Sequence, residues 1–188
     1  MEINKPAPTC PEDEAYLKYI DEHRNYIYGA FRRHGQRICL SLSLIGLSYH
    51  KLRNRIAYHD VSKYGPEEFQ AYRKNFYPKK EEEGPSDFGK AWKHHYTVND
   101  HHWEHWVENG KPKEMDRIAI AEMLLDWEAM SLKFKNNPAE WYRTHKNTIL
   151  LGKRTRELVE KTLASLQMTR EFPYSVRKNN RRAPRTKK

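Results

Sequence analysis

Apolar side chains recur at intervals of three and four residues along most of this 188-residue chain. That spacing places them on one face of an α-helix, whereas a strand with one exposed face alternates apolar and polar residues. Only Leu40–Leu44 alternates in the second way, and a longer three-four series from Ile38 to His59 passes through it and favours a helix. The sequence therefore predicts an all-α fold with no strand.

Start and stop signals divide this pattern into six helices and one short additional helix. Pro11 follows two candidate capping residues, Thr9 and Cys10, and precedes three acidic residues that suit the positive end of a helix dipole. Gly35 is the expected end or bend of that first helix, and Ser86 or Asp87 is the expected cap of the fourth. We predict helices at about residues 11–35, 38–59, 66–76, 88–108, 113–134, 138–142 and 153–168.

A single domain suits a chain of this length. We expect a lead-in at residues 1–11, a compact bundle of about six helices at 12–170 and a basic tail at 171–188. The net charge is +10, and seven lysines and arginines lie between Arg177 and Lys188 without an acidic residue. Such a segment is typical of a disordered appendage, and it would bind polyanions such as nucleic acid at low salt.

The chain carries two cysteines, Cys10 and Cys39, which are too few for paired C-x-x-C metal ligands and are typical of a reduced cytosolic protein. Its first residues are polar and contain proline, unlike a signal peptide. The longest apolar run, Ile38–Leu47, is interrupted by serines and is too short to span a bilayer. We therefore expect a cytoplasmic protein that does not enter a membrane.

Polar side chains occupy several inward positions of the predicted helices. The inward residues that can bind metals are His23, His59, His95, His102, Glu122 and Asp126. Asp60 follows His59 where the second helix ends, and only at such an end can adjacent side chains reach one point, since within a helix they diverge by about 100°. An unpaired buried carboxylate costs several kcal/mol, and a divalent cation bound by imidazoles and carboxylates removes that cost.

The remaining aromatic and histidine residues have simpler interpretations. The five tryptophans recur at helical spacing and are expected to pack in the core, with nucleobase stacking as the alternative. His50, His105 and His145 are expected at the surface or its boundary.

The stretch His59-Asp60-Val61-Ser62-Lys63 resembles the His-Asp-x-(small)-Lys signature of the HD-domain superfamily of metal-dependent phosphohydrolases. Over roughly residues 14–165 the chain also resembles a narrower family of phage and bacterial proteins of the DUF5662 type, which brings no activity with it. The matching stretches are Tyr19–His23, His59–Tyr64, Glu67–Tyr72, His94–Trp103, Glu122–Trp127 and Glu140–Tyr142.

The superfamily resemblance implies an HD-like helical bundle that holds one or two divalent metal ions, which can be Mn, Co, Ni, Mg, Zn or Fe. The implied ligands are His23, His59, Asp60 and Asp126 for the first ion, with His95, His101 and His102 as candidates for a second. His102 shares a helix face with His95, but a helix break near Asn99 would turn His101 inward instead.

The activity that this resemblance implies is hydrolysis of a phosphoester, with a nucleotide or another phosphorylated small molecule as substrate. Asp60 would bind the ion and orient water, and Lys63 would offset charge on the phosphate. His95 or Glu122 would move a proton.

Two alternatives remain open. Some members of the superfamily hold two irons and use dioxygen, and His95 and His102 are compatible with such a centre. In the other alternative the metal or polar core is structural, and residues 177–188 bind nucleic acid or a partner protein. If the protein is phage-encoded, its expected location is the host cytoplasm.

Overall fold

The computed structural model describes residues 3–82 and 87–171, with side chains described as far as residue 167. These residues form seven α-helices, two single-turn 3-10 helices and one hairpin of two-residue strands. The all-α prediction is therefore confirmed, although the prediction of no strand is wrong for this short hairpin. The α-helices are α1 (Pro11–Ser41), α2 (Leu47–Ala57), α3 (Phe69–Phe76), α4 (Phe88–Val98), α5 (Arg117–Phe134), α6 (Pro138–His145) and α7 (Lys153–Glu171). The 3-10 helices are Val61–Tyr64 and Trp103–Trp106, and the strands are β1 (Val107–Glu108) and β2 (Lys111–Pro112).

Helix α1 is the longest element and carries the predicted inward face. Its buried positions include Tyr16, Ile20, His23, Ile27 and Ala30, as the spacing indicates.

The prediction that α1 ends or bends at Gly35 is wrong, because α1 continues to Ser41. A Cβ atom at Gly35 would lie 2.6 Å from the ring of Phe31, so this glycine makes room for an aromatic side chain on its own helix. The glycine at this position is explained by packing, and it does not mark a helix end.

The predicted second helix is wrong at its start. Ile38 belongs to α1, and the chain then turns between Ser43 and Gly46, whose φ angles are +57° and +55°. α2 begins only at Leu47, and Ile45, which the prediction placed inward, is 73% exposed. The three-four series continued across a turn because two consecutive helices happened to share its phase.

The predicted fourth helix is too long. α4 ends at Val98, and the segment from Asn109 to Pro112, predicted as the helix end, belongs to the antiparallel hairpin of β1 and β2. Asn109 and Gly110 both have positive φ, which is the turn that Asn-Gly favours in a two-residue hairpin. The break after α4 turns His101 inward, which is the alternative that the sequence left open.

Two apolar clusters flank the polar residues. The larger cluster lies between α1, α2, α5 and α7 and includes Ile27, Leu52, Leu124 and Val159. The smaller cluster packs the start of α1 against α3 and α4 and is mostly aromatic. All five tryptophans pack against one cluster or the other, as predicted: Trp92, Trp103, Trp106, Trp127 and Trp141.

α1 and α5 run antiparallel through the middle of the bundle. Tyr19 near the start of α1 contacts Lys133 near the end of α5, while Arg117 at the start of α5 donates a hydrogen bond to the carbonyl of Leu42. This arrangement brings the middle of both helices, with His23 and Asp126, to the same level of the bundle.

Several predictions concern the surface and the ends of the chain. His50, His105 and His145 are exposed, as expected. The predicted basic tail lies outside the described residues apart from Glu171, which ends α7, and the candidate cap Ser86 also lies outside them. Among the helices that are described, none has the length and apolar character needed to cross a membrane.

Candidate metal centre

The His-Asp pair lies in a tight turn just beyond the end of α2. Asp60 has φ +57° and ψ +21°, a left-handed conformation that is uncommon outside glycine, asparagine and aspartate. The guanidinium of Arg24 on α1 holds this turn by donating to the carbonyls of Ala57, at 2.7 Å, and of His59. The reversal at Asp60 lets two neighbouring side chains face one point, which a helix would prevent.

The Asp60 carboxylate, only 2% exposed, is the centre of the cluster. Its Oδ2 lies 3.5 Å from His23 Nε2 and 3.6 Å from His59 Nε2. Its Oδ1 lies 3.4 Å from His95 Nε2 and 3.5 Å from His101 Nε2. Each oxygen of one carboxylate therefore faces two imidazoles.

Two further residues complete the two halves. Asp126 on α5 brings Oδ1 to 3.3 Å from His23 Nε2, on the Oδ2 side of Asp60. His102 brings Nε2 to 2.9 Å from His95 Nε2, on the Oδ1 side. The first set is His23, His59 and Asp126, the second is Asp60, His95, His101 and His102, and in each the potential ligand atoms all lie within 4.8 Å of one another.

The spacing between these atoms suits a shared cation. Two ligand atoms that bind one ion through bonds of about 2.1 Å lie about 3.0–3.6 Å apart when the bond angle is between roughly 90° and 120°. The contacts of the imidazoles with Asp60 and Asp126 measure 3.3 to 3.6 Å. A neutral N–H···O hydrogen bond is shorter, about 2.9 Å. These distances therefore suit atoms that bind a common ion better than atoms that form hydrogen bonds with one another.

Unpartnered atoms in the cluster lead to the same conclusion. Four buried atoms that face the centre have no hydrogen-bond partner among the described residues: His59 Nε2, His101 Nε2, Asp60 Oδ1 and Asp126 Oδ1. A buried polar atom without a partner costs roughly 1–3 kcal/mol. Two bound cations would use these atoms as ligands, His59 and Asp126 in the first set and Asp60 Oδ1 and His101 in the second.

Carboxylates behind the histidines fix the orientation of the rings. Glu122 Oε1 lies 2.9 Å from His59 Nδ1 and 3.5 Å from His101 Nδ1. Glu68, fully buried, lies 2.8 Å from His95 Nδ1. Nδ1–H can then donate outward while the Nε2 lone pair faces the centre, which is the usual arrangement of metal-binding histidines.

Two carboxylates of the cluster, Asp60 and Glu122, are ionised. Burial alone would raise the pKa of Asp60, but the neighbouring His59 and the charge of Lys63 hold it well below its usual range. Burial would likewise raise the pKa of Glu122, but the hydrogen bond from His59 and the charges of His101 and Arg55 lower it to about 2. Both groups therefore carry negative charge at neutral pH.

The imidazoles differ from one another in their pKa shifts. Burial lowers the pKa of His59 and, together with the neighbouring His101 and His95, places that of His102 well below its ordinary value. His101 is also buried, which would lower its pKa, but Asp60 and Glu122 raise it overall. His59 and His102 are thus neutral at pH 7, the state that binds a metal ion.

A lysine and an aspartate mark the side on which the cluster reaches solvent. Lys63 Nζ lies 2.7 Å from Asp60 Oδ2, and the ammonium remains charged because Asp60 outweighs the effect of burial and raises its pKa. The side chains of Lys63 and Asp126 are 14% and 17% exposed, whereas those of His59 and His95 are fully buried. An anion entering from this side meets Lys63 next to Asp60.

A family profile matches residues 12–165, which is most of the chain, and is described as a family of unknown function (DUF5662). The protein belongs to this DUF5662 family. No curated protein and no solved structure matches the chain. The chemistry of this DUF5662 member is therefore inferred from its own residues.

The structure brings together every residue that the sequence identified as a possible metal ligand. They are His23, His59, Asp60, His95, His101, His102 and Asp126. Glu122 lies one step behind, on the Nδ1 side of two histidines, and faces Arg55. Glu68 and Arg24 were not identified from the sequence, although Glu68 lies in Glu67–Tyr72, one of the stretches that carry the family resemblance.

Proposed function

We propose that this protein is a metal-dependent phosphohydrolase acting on a nucleotide or another phosphoester. Two divalent ions, for which Mn, Co, Ni, Mg, Zn and Fe are all candidates, share Asp60 as a bridging ligand. The proposed ligands are His23, His59, Asp60 and Asp126 for one ion and Asp60, His95, His101 and His102 for the other.

The position of the Asp60 carboxylate is the observation that carries this proposal. One oxygen faces the first ligand set and the other oxygen faces the second. Two-metal phosphatases and nucleases hold their ions about 3.5–4 Å apart, and a carboxylate with one oxygen toward each ligand set would suit such a pair. The resemblance to HD-domain phosphohydrolases implies the same four residues for the first ion, and this agreement supports the assignment.

Metal ions in such a position polarise a phosphoryl group and lower the pKa of a bound water. The protein's own residues supply the rest of the proposed site. Lys63 neutralises part of the phosphate charge at the solvent side of Asp60. Glu122 orients His59 and His101 from behind, so we propose it as a positioning residue and not as the proton shuttle. His95 has Nε2 at the centre and Nδ1 on Glu68, which suits a ligand better than an acid or base.

A centre of two irons that uses dioxygen is the second candidate. The histidine-rich second set, with three imidazoles beside one carboxylate oxygen, favours it because iron binds imidazole and carboxylate together. Lys63 favours the phosphohydrolase, because a cation at the entrance recruits an anionic substrate. The third alternative, a non-enzymatic protein that binds through residues 177–188, concerns a segment outside the described residues.

Elemental analysis of the purified chain, followed by a panel of nucleotides and phosphoesters with each candidate metal, tests the proposal. We expect two ions per chain and phosphate release, with H23A losing the first ion and H102A the second. H50A alters an exposed histidine of α2 and serves as the control. Unchanged metal content in H23A and H102A would exclude the site, and iron with a visible absorption band and no phosphate release would favour the oxygenase.

A further inference from the structure

The solvent side of the metal centre has a second lysine beyond Lys63. Lys133 lies seven residues after Asp126 on α5, which is two turns along the same face of the helix. Helical side chains lean toward the N-terminus, so the amine of Lys133 points back toward Asp126. The two lysines thus approach the entrance from different elements, since Lys63 lies in the 3-10 helix after the His-Asp turn.

The position of the Lys133 amine is fixed by an aromatic ring on α1. Its Nζ lies 3.8 Å from the centre of the Tyr19 ring, close enough for a cation–π contact. Tyr19 precedes the metal-ligand candidate His23 by four residues and therefore lies one turn away on the same helix face. This contact holds an ammonium group one turn outside the proposed ligands.

The charge of Lys133 is not neutralised by an ion pair. No carboxylate of the described residues comes within 4.0 Å of its Nζ, and the nearby Glu22 pairs with Lys18 at 3.9 Å. Partial burial lowers the pKa of Lys133, the negative charge of Glu22 opposes this shift, and the positive charge of Lys63 adds to it by a smaller amount. An anion placed between the two lysines would relieve this repulsion.

The ring of Tyr19 is already engaged by the chain's own side chains. Besides Lys133, it stacks on Tyr16 with ring centres 6.3 Å apart and contacts Tyr77 at the same distance. A nucleobase would have to displace these contacts to stack there. This edge of the entrance therefore presents charge to a ligand and offers little free aromatic surface.

We propose that Lys133 is a specificity-determining residue that binds a second anionic group of the substrate. The preferred substrate class is then a phosphoester that carries another carboxylate or phosphoryl group a few bonds from the reacting phosphate. The reacting phosphoryl group lies at the metal centre beside Lys63, and the second anionic group contacts the Lys133 ammonium. This inference rests on the proposed function, since it assumes that phosphate binds at Asp60.

Binding of three non-hydrolysable phosphonates to the full-length Mn-loaded protein tests this inference. Methylphosphonate offers one anionic group, phosphonoacetate adds a carboxylate and methylenediphosphonate adds a second phosphonate. Isothermal titration calorimetry is run on wild type, K133M and K161M, which removes an exposed lysine of α7, and metal content is measured after each titration. Comparing the two larger ligands shows whether the second anionic group that Lys133 prefers is a carboxylate or a phosphoryl group.

We expect at least one larger ligand to bind wild type and K161M about tenfold more tightly than methylphosphonate, the effect of one charge-assisted hydrogen bond. K133M should lose this gain and bind methylphosphonate within about twofold of wild type. If methylphosphonate binds but the larger ligands gain nothing, or if K133M weakens all three equally, the role of Lys133 is refuted while the proposed function stands. If wild type holds no metal and binds no methylphosphonate, both proposals fail.

Discussion

Buried charges occur in two regions of this bundle, and the regions differ in how those charges are balanced. In one region Arg73 of α3, 2% exposed, brings its Nε to 3.2 Å from Oδ1 of Asp13 at the start of α1. The same guanidinium donates to both oxygens of Glu82 and to the side chain of Gln70. A single cation of the chain thus closes this cluster.

The metal centre has no such closure. Its buried or partly buried carboxylates are Asp60, Glu68, Glu122 and Asp126, and the cations in contact with them are Lys63 and Arg55. Arg55 is shared with Asp100, so its charge is divided. His59 and His102 are neutral and supply lone pairs. The comparison shows that a cluster of polar residues can be structural when its own cation completes it, whereas the open cluster has donor groups that could hold a cation from solution.

Removing the charge of Asp60 should have the largest effect of any single substitution. Asparagine tolerates the left-handed backbone at this position, so D60N isolates the charge from the fold. We expect loss of both ions and a decrease in phosphoester hydrolysis of at least about 10³-fold. Elemental analysis and kcat measure the two effects.

D13N is the matched control in the closed cluster. It removes a carboxylate that is equally buried, at 1% exposed, but touches no proposed ligand. Its metal content should equal that of wild type. If D60N retained two ions, Asp60 would not bridge them. The two regions would then differ in their residues but not in their need for a cation from solution.

Breaking the closed cluster should affect stability and leave the metal untouched. R73M leaves Asp13 buried without its cation, and loss of one partner of a buried ion pair typically costs about 3–5 kcal/mol. Urea unfolding measures this loss, with metal content per folded molecule unchanged. The double variant D13N/R73M should recover part of the stability, because it no longer buries an unpaired charge. A drop in metal content in R73M would show that the two regions are coupled.

Removing an orienting carboxylate should weaken metal binding to a smaller extent. E122Q keeps the shape of a side chain that contacts both His59 and His101, and loss of such outer contacts typically lowers metal affinity by about 10–100-fold. E68Q contacts one proposed ligand, His95, and should have the smaller effect. Competition with a metal-sensitive dye measures the affinities.

Glu128 provides the control for E122Q on the same helix. It is 1% exposed and lies 3.6 Å from His34, away from the cluster. E128Q should bind metal like wild type. Equal losses in E122Q and E128Q would mean that any buried carboxylate of α5 supports the site through folding alone.

Much of this centre could be predicted from the sequence, because the face of a helix on which a residue lies depends only on its position along that helix. Three-four spacing alone turned His23, His59, Glu122 and Asp126 inward, and all four lie in or directly behind the cluster. Spacing could not decide between His101 and His102. That choice depends on where α4 breaks, and the structure brings both histidines to the site.

The break after α4 is set by contacts between distant segments. Asn99 donates to the hydroxyl of Ser62 at 2.8 Å, and Trp106 Nε1 donates to the carbonyl of Asp100 at 2.7 Å. Asp100 also pairs with Arg55 of α2. Tertiary contacts of this kind leave no periodic signal in the sequence.

The smallest predicted effect concerns pH and is confined to the closed cluster. Hydrogen bonds from Arg73 and from the backbone of Lys79 lower the pKa of Glu82 from 4.5 to about 2. Since the folded-state pKa lies below the ordinary value, the stabilisation by Glu82 is complete above pH 4.5 and is lost as the pH falls toward 2. Wild type should therefore exceed E82Q in urea midpoint at pH 6, and this excess should shrink steadily below pH 4.5.

E81Q alters the exposed neighbouring glutamate and should follow wild type at every pH. A difference between wild type and E82Q that stayed constant down to pH 2.5 would show that Glu82 stabilises the fold without its charge, and Arg73 would then not be the cation that closes this cluster.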